Sequence, residues 1–299
     1  MRNFLITGVC LLAASCSSER FNEVVNGQSE EAVAAVKVHV DEFSVSLEDD
    51  SRGRTRAVQD VATYNDVNAV TLAFYKGDGS QVYKHEQLRD SESAGETFGE
   101  FECALPMGSY TMVVVAYKTN ESSPFSLTGP TVASYTGDHA YETFVTTQAV
   151  NITNTDAVDI GATLNRVVSK LEVRSSDGRT TNVLNVRMTL SEGSKSFNPT
   201  TGLAIVNTGF ANTVSISKAE GELTTSGTYL FLATDEQTMD VTIESLDADG
   251  NTLFSKVVNN VPFKRNRKTI LTGNIYTNNN IAGAFQIETA WLDDHIAPF

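Results

Sequence analysis

The sequence has few of the residues that metal sites, disulfide frameworks and nucleic-acid surfaces require. It contains 3 cysteines and 4 histidines, and its 22 Lys and Arg residues are outnumbered by 37 Asp and Glu residues, for a net charge of −15. Phosphate backbones bind surfaces with an excess of Lys and Arg, so we expect no nucleic-acid partner. The histidines are scattered without any pair at metal-ligand spacing, and we expect no metal and no cofactor.

Sequence motifs for catalysis are also missing. There is no Gly-x-Ser-x-Gly motif, no phosphate-binding loop and no Gly-x-Gly-x-x-Gly motif. Residues 247–251 open like a calcium loop, but Leu253, Ser255 and Val257 stand where the remaining ligands should be, which favours a hairpin turn. A surface hydrolase would need a carboxylate or metal constellation, so we expect no enzymatic activity and no catalytic residues.

The N-terminus carries the pattern of a processed leader. Arg2 precedes an apolar run at 4–14, which is shorter than the ~20 residues that a membrane-spanning helix needs. The run ends in Leu-Leu-Ala-Ala-Ser-Cys at 11–16, which looks like a lipobox. We therefore predict a signal peptide at 1–15 and lipid on Cys16, which would hold the chain in a membrane. An ordinary secretory signal with a chance cysteine is the alternative.

The cysteine count then leaves no pair for an intramolecular disulfide. Cys10 would leave with the signal peptide and Cys16 would carry lipid, so that only Cys103 stays in the folded part. Cys103 alternates with Phe101 and Leu105, which places it on one face of a strand. We expect it to be a small, buried, apolar side chain rather than a reactive thiol.

The rest of the chain is typical of β-structure. Residues 36–47 alternate with a phase slip at 41–42, as at a bulge; glycine and aspartate turns at 77–79 and 247–250 predict hairpins; and 110–117 is typical of a buried strand. Short strands at roughly ten-residue intervals favour two β-sandwiches. We predict an all-β fold with a flexible tether at 16–35, a first domain at 36–155 and a second domain at 156–299.

Two charged segments interrupt this pattern. Residues 48–56 contain no apolar residue and include Arg52, Arg54 and Arg56, which predicts an exposed loop. Residues 259–277 contain Pro262 and the basic residues 264, 265, 267 and 268, followed by Gly273, where a strand would bulge or bend. A surface turn that leads into a strand is the ordinary interpretation of this segment, and a contact with an anion or a lipid head group is the alternative.

Aromatic residues near the C-terminus allow two interpretations. Tyr276 and Trp291 could form a platform on which a sugar ring stacks. Trp291, however, alternates with Phe285 and Ile287, and that phase favours a place in the core.

Residues 259–277 and 285–291, together with the lipobox, the acidic tether, the N-terminal strand and the Arg-rich loop, resemble the fimbrillin-type lipoproteins of Bacteroidales, which are the subunits of type V pili. The resemblance implies two tandem transthyretin-like β-sandwiches and transport to the outer membrane through lipid on Cys16. It also implies other fimbrial subunits as partners and a contribution to cell adhesion. A stalk, tip or anchor role stays open, and a surface glycan-binding lipoprotein is the alternative.

The same resemblance implies a processing step. In stalk subunits of the family, an Arg-specific protease removes the N-terminal strand and opens a groove for a strand of the neighbouring subunit. The bond between Arg56 and Ala57 is the most similar to the family's cleavage site, and Arg52 and Arg54 are alternatives. An anchor subunit keeps its lipid and is not cut.

We predict that Cys16→Ala releases a soluble, larger species from the membrane fraction, because neither lipid attachment nor the cleavage that depends on it can occur. Fractionation and immunoblotting of expressing cells measure this. Cys10→Ala is the matched control and should stay with the membrane. The lipoprotein prediction fails if the Cys16→Ala chain also partitions with the membrane.

Overall fold

The computed structural model describes residues 32–44, 58–61, 64–89, 97–277 and 285–291, with the backbone alone at 58–60 and 288–291. Every regular element within these ranges is a β-strand, which confirms the predicted all-β fold. No helix in the described part of the chain is long and apolar enough to cross a membrane.

Ten strands lie between residues 33 and 166. They are β1 (Val33–Ser44), β2 (Val58–Asp60), β3 (Ala69–Tyr75), β4 (Gln81–Leu88), β5 (Glu100–Pro106), β6 (Gly108–Tyr117), β7 (Phe125–Gly129), β8 (Val132–Tyr135), β9 (Thr143–Ile152) and β10 (Val158–Arg166).

Ten further strands follow in the described part of the chain. They are β11 (Ser169–Ser175), β12 (Asn185–Leu190), β13 (Ser196–Asn198), β14 (Leu203–Ala204), β15 (Phe210–Ser215), β16 (Thr225–Leu230), β17 (Glu236–Leu246), β18 (Thr252–Lys264), β19 (Arg267–Gly273) and β20 (Gln286–Trp291).

The largest sheet has eight strands and curls around the first core. Seven of its strands lie in the order β2-β1-β10-β9-β6-β3-β4, and the eighth, β5, pairs with β1. Alternate side chains of these strands point inward because successive residues of a strand face opposite sides of the sheet. The inward set includes Val38, Leu72, Phe101, Val114 and Leu164, all at most 2 % exposed.

The second core lies between two four-stranded sheets that face each other as a β-sandwich. One sheet has the order β16-β11-β19-β20 and the other β15-β12-β17-β18. Leu171, Val173 and Leu271 of the first sheet pack with Val186 and Ile243 of the second, and all five side chains are fully buried. The predicted β-sandwich architecture is therefore present in this part of the chain.

A third core joins the two parts. Strands β3 and β6 are buried on both faces, and their outer face is covered by a sheet with the order β14-β13-β8-β7. Within this sheet Phe197 of β13 lies opposite Ala133 of β8. The rings of Phe197 and Phe231 stack there with their centroids 4.4 Å apart. We call this the bridging sheet, because it takes two strands from each part of the chain.

Both predicted hairpin turns are present at the predicted positions. The turn at 77–79 joins β3 to β4, with Gly79 at a φ of +83°, a conformation that glycine adopts without steric cost. The turn at 247–250 joins β17 to β18 in the same way, with Gly250 at a φ of +82°. Both hairpins are therefore confirmed.

The proposed division of the chain at 155/156 stays a prediction. Strand β10, which lies after that position in the sequence, pairs with β1 and β9 of the first sheet. Strand β13, also after it, pairs with β8.

We predict that Phe231→Ala lowers the free energy of unfolding by about 3–5 kcal/mol, because it removes a fully buried ring from the third core. Urea denaturation measures the change. Leu223→Ala is the control, since Leu223 is 60 % exposed and should change stability by about 0.5 kcal/mol or less. Equal losses in the two variants would contradict the assignment of the bridging core.

Candidate functional site

Strand β1 is held on both sides by its neighbours in the sheet. On one side it pairs in parallel with β10, from Val36 opposite Val158 to Ser44 opposite Asn165. On the other side its first half pairs with β5 and its last three residues pair with β2, both antiparallel. We call the space between β10 on one side and β5 and β2 on the other the β1 slot.

The inner face of β1 is entirely apolar and buried. Ala34, Val36, Val38, Val40 and Phe43 are each at most 8 % exposed. The register shifts between Val40 and Glu42, and this bulge explains why the alternation changes phase there. The predicted strand with a phase slip at 41–42 is confirmed over the residues that the structure describes.

Phe43 anchors the C-terminal end of β1. Its ring stacks on Phe144 of β9 with centroids 4.8 Å apart, and the edge of Tyr64 contacts both rings with centroids at 5.7 Å. Such a cluster contributes about 0.5–1.5 kcal/mol for each aromatic pair beyond the area that it buries. The last residues of the strand are therefore held by ring packing as well as by backbone hydrogen bonds.

The outer face of β1 carries a polar contact with β10. His39 lies between two carboxylates, with Nε2 3.1 Å from Asp41 Oδ1 and Nδ1 3.1 Å from Asp159 Oδ1. Gly161 faces His39 across the ladder, and a Cβ at this position would stand 2.5 Å from Asp41 Oδ2. A side chain here would push Asp41 away, so the glycine makes room for the polar cluster.

The β1 slot has the backbone and side-chain groups that hold an extended strand. The backbone ladder recognises any extended chain, and the buried positions select a strand with small or branched apolar residues at alternate places. Each large aliphatic or aromatic side chain transferred into the β1 slot contributes about 1.5–3 kcal/mol. A strand that replaces β1 must supply the same alternation.

The predicted processing residues lie outside the described part of the chain. These residues are Cys16, Arg52, Arg54, Arg56 and Ala57. The structure does describe the two strands that flank the Arg-rich segment, and there Ser44 at the end of β1 lies opposite Val58 at the start of β2. The ends of residues 45–57 therefore start from neighbouring positions in the sheet.

The partners of β1 were not evident from the sequence. Strand β10 lies more than a hundred residues after β1. Parallel strands are not joined by a short hairpin turn, so the sequence has no turn motif that would indicate the pairing. Glu100 and Glu102 of β5 alternate with Phe101 and Cys103, which predicts a strand but not its neighbour. Only preferences of particular residues to pair between distant strands could have indicated these partners.

The basic segment forms a tight turn between β18 and β19, as the ordinary interpretation predicts. Asn266 occupies the turn with a φ of +60°. Ion pairs hold the turn: Lys264 Nζ with Glu236 Oε1 (2.7 Å), Arg265 Nη2 with Asp235 Oδ1 (2.8 Å) and Lys268 Nζ with Glu172 Oε2 (3.6 Å). Pro262 lies in β18, which is the edge strand of its sheet. Proline has no N–H to donate, and an edge strand tolerates this because one of its sides has no neighbouring strand.

Gly273 was predicted to lie where a strand bulges or bends, and the register tests the bulge. It is the last residue of β19 and no register shift occurs beside it, so it is not a bulge. A Cβ at Gly273 would lie 2.8 Å from Cδ1 of Phe285. The glycine allows the aromatic ring of the returning chain to pack directly on the backbone.

Tyr276 belongs to the core and not to an exposed platform. It is 6 % exposed and its hydroxyl hydrogen-bonds with that of Thr224. Burial raises the pKa of Tyr276, which fits a phenol kept neutral inside the fold. The side chain of Trp291 is outside the described residues, and its backbone in β20 pairs opposite Arg267. The sugar platform that would need both rings at the surface is therefore not formed by Tyr276.

The carboxylate of Asp247 accepts hydrogen bonds within the turn to which it belongs. Its Oδ1 accepts hydrogen bonds from the backbone N–H groups of Asp249 (2.9 Å) and Asn251 (2.8 Å). The side-chain amide of Asn251 donates to Asp247 Oδ2 at 3.0 Å, and this bond, together with the backbone bonds, lowers the pKa of Asp247. Among the described residues no group of three or more His, Cys, Asp or Glu side chains is arranged to hold a metal ion.

Comparisons with known proteins give a family and several distant structures. Residues 31–297 match a protein family described as a family of unknown function, DUF6562. No curated protein is significantly similar to the sequence.

Similar solved structures include two fimbrial proteins of Porphyromonas gingivalis. The fimbrial anchor protein Mfa2 is 11 % identical over 80 % of this chain and 90 % of its own, with a TM-score of 0.47. The tip fimbrial protein Mfa3 with a C-terminal truncation is 12 % identical over 87 % and 99 %, with a TM-score of 0.39. A candidate adhesin from Bacteroides ovatus is 13 % identical over 79 % and 88 %, with a TM-score of 0.48. At such TM-scores these similarities are too loose to assign the chain a role.

Cys103 provides a local probe of this site, because it lies opposite Val36 of β1. Its side chain is half-buried rather than buried as predicted, and this burial raises the pKa of its thiol to about 11. We predict that iodoacetamide labels the folded chain slowly at pH 8 and faster as the pH rises toward that value, since only the thiolate reacts. Labelling is followed by mass spectrometry in a Cys10→Ala, Cys16→Ala chain, and the same chain in urea is the control. Equal rates in the folded and unfolded chain at pH 8 would refute the prediction.

Proposed function

The chain belongs to the DUF6562 family, and we propose that it is a non-enzymatic structural subunit of a surface fimbria, as stalk, tip or anchor. In this proposal it reaches the outer membrane as a lipoprotein through Cys16, joins other fimbrial subunits by exchanging strand β1, and contributes to cell adhesion. The observation that carries the proposal is that the first strand in the described part of the chain occupies an internal position in the largest sheet.

The topology makes β1 removable. It is the first strand of the described fold, and the chain continues from its end at Ser44 to its neighbour β2 through residues 45–57. One cut in that segment separates β1 from the rest of the subunit, and no other strand has to unthread. A strand in the middle of the sequence would need two cuts.

The empty β1 slot would favour a replacement strand. Removal of β1 would leave the backbone N–H and C=O groups of β5 and β10 without their ladder partners and expose the side chains that now pack on Val36, Val38 and Phe43. A strand from another copy restores both the hydrogen bonds and the apolar burial, at about 1.5–3 kcal/mol for each large side chain. Such a linkage is strong enough for a polymer.

The connecting segment suits an Arg-specific protease. Arg52, Arg54 and Arg56 lie within a stretch of nine residues that contains no apolar side chain. Proteases cut most readily in exposed polar segments that join two ordered elements. The bond between Arg56 and Ala57 is the proposed site, with Arg52 and Arg54 as alternatives.

We predict that limited digestion with an Arg-specific protease cuts within residues 52–56 before any other site, and that the cut protein forms oligomers through its vacated β1 slot. Mass spectrometry locates the cut, and size-exclusion chromatography with light scattering measures the oligomers. The control is a chain with Arg52→Lys, Arg54→Lys and Arg56→Lys, which keeps the charge but removes the cleavage sites and should stay uncut and monomeric. A cut chain that remains a stable monomer would refute strand exchange.

We also predict that a disulfide between β1 and β5 blocks assembly. Val36 lies opposite Cys103, and residues opposite each other in an antiparallel pair have Cα atoms about 4.5–5.5 Å apart, within the range of a disulfide. In a Cys10→Ala, Cys16→Ala background, an oxidised Val36→Cys chain should remain monomeric after digestion. Reduction should restore oligomers. Oligomers from the oxidised, cut chain would show that they form without release of β1.

A further inference from the structure

Strand β1 places its basic side chains between acidic side chains of both neighbouring strands. Lys37 lies opposite Glu102 of β5 on one side and opposite Asp159 of β10 on the other. His39, two residues later, lies opposite Glu100 of β5, and its Nδ1 is 3.1 Å from Asp159 Oδ1. All five residues are on the outer face of the sheet, where side chains on directly opposed positions are close enough to interact.

The carboxylates belong to the β1 slot and not to the strand that fills it. Glu100 and Glu102 are exposed residues of β5, and Asp159 is an exposed residue of β10. Among the ion pairs of the described residues, the one partner of these three carboxylates is His39 of β1. A vacated slot therefore keeps three carboxylates along its outer rim and loses the basic side chains that face them.

The acidic residues of β1 lie beyond this arrangement. The pairing of β1 with β5 ends at His39, and Asp41 and Glu42 follow at the bulge. Like charges directly opposite each other on neighbouring strands destabilise the pairing, whereas opposite charges stabilise it. A strand with carboxylates at the places of Lys37 and His39 would therefore be repelled from both sides of the slot.

We propose that the outer rim of the β1 slot selects the incoming strand by its charge, and that it accepts a strand of another subunit with basic residues at the places of Lys37 and His39. This inference rests on the strand exchange proposed above, and it adds a requirement on the polar face of the strand. Exposed charge pairs add little affinity, but they set the choice of partner and the rate of encounter. The apolar inner face thus holds the strand, and the acidic rim decides which strand enters.

The region around strand β20 does not meet this requirement. Residues 285–294 contain Glu288, Asp293 and Asp294 and no basic residue. If this segment entered the slot with Ile287 inward, alternation would place Glu288 on the outer face, beside the carboxylates of the rim. Strand β1 of a second copy does meet the requirement, because it carries a lysine and a histidine two positions apart.

Strand capture by the full chain after a single cut tests the proposal. A site for a sequence-specific protease, inserted after Ser51, makes the cut independent of the arginines. Fluorescent peptides of residues 32–44, either unaltered or with Lys37→Glu and His39→Glu, then compete for the β1 slot, and size-exclusion chromatography measures the bound label. At low ionic strength we expect the unaltered peptide to be captured about fivefold better or more, and near 1 M salt this difference should largely vanish because salt screens exposed charges.

Further peptides and one altered chain separate the position of the charges from their sum. A peptide with three glutamates added before Ala32 has the net charge of the altered peptide, and it should be captured like the unaltered one. A peptide of residues 285–294 should be captured as poorly as the altered one. A chain with Glu100→Lys, Glu102→Lys and Asp159→Lys should reverse the preference and capture the altered peptide better.

The outcomes distinguish charge selection from strand exchange itself. If no peptide is captured, strand exchange fails, and charge selection fails with it. Equal capture of the unaltered and altered peptides overturns charge selection alone and leaves strand exchange standing. Capture of residues 285–294 as strong as that of the unaltered peptide does the same.

Melting temperatures of uncut chains test the same charges without any exchange of strands. Lys37→Glu with His39→Glu should lower the melting temperature, and so should the three lysine substitutions at the rim. A chain with all five changes should melt higher than either of these two variants, because opposite charges face each other again. If the losses simply add, the charges do not interact across the slot and the proposal is overturned.

Discussion

The parallel ladder between β1 and β10 is the constraint on which the first half of the molecule depends. It runs from Val36 opposite Val158 to Ser44 opposite Asn165 and places an N-terminal strand between elements that are otherwise far from it in sequence. Without it, β10 would have no partner along most of its length, and the first core would lose the side chains on the inner face of β1. The largest sheet therefore closes around its core only when β1 is present.

The sequence allowed local structure to be predicted better than pairing. The strand at β1, its bulge after Val40 and the hairpins at 77–79 and 247–250 all follow from patterns within about ten residues, because alternation and turn chemistry are local. The partners of β1 and the bridging sheet could not be predicted, since a register between distant strands leaves no such local mark. For the same reason the basic turn at 264–268 was identified from the sequence, but its position near β9 and the loop at 199–202 was not.

The bridging sheet connects the two larger cores through a shared apolar layer. It covers the outer face of β3 and β6 with strands from both parts of the chain, and the stacked rings of Phe197 and Phe231 lie at its centre. Arg166 adds a polar connection, since it contacts Glu142 on one side and Asn266 on the other. A packed apolar layer of this kind restricts movement of the two larger cores relative to each other.

The position of β1 also sets the order in which the chain can fold. Its N-terminal residues emerge first from the ribosome, yet the parallel partner that they need begins at Val158 and is made much later. Closing so long a loop is slow because the entropy cost comes before the contacts that repay it. Until residues 158–165 have been made, β1 can pair only with β5 and β2, and the edge that will pair with β10 is open. An open strand edge can pair with another chain, so a growing chain is exposed to premature association through the same strand that would later join it to its neighbours.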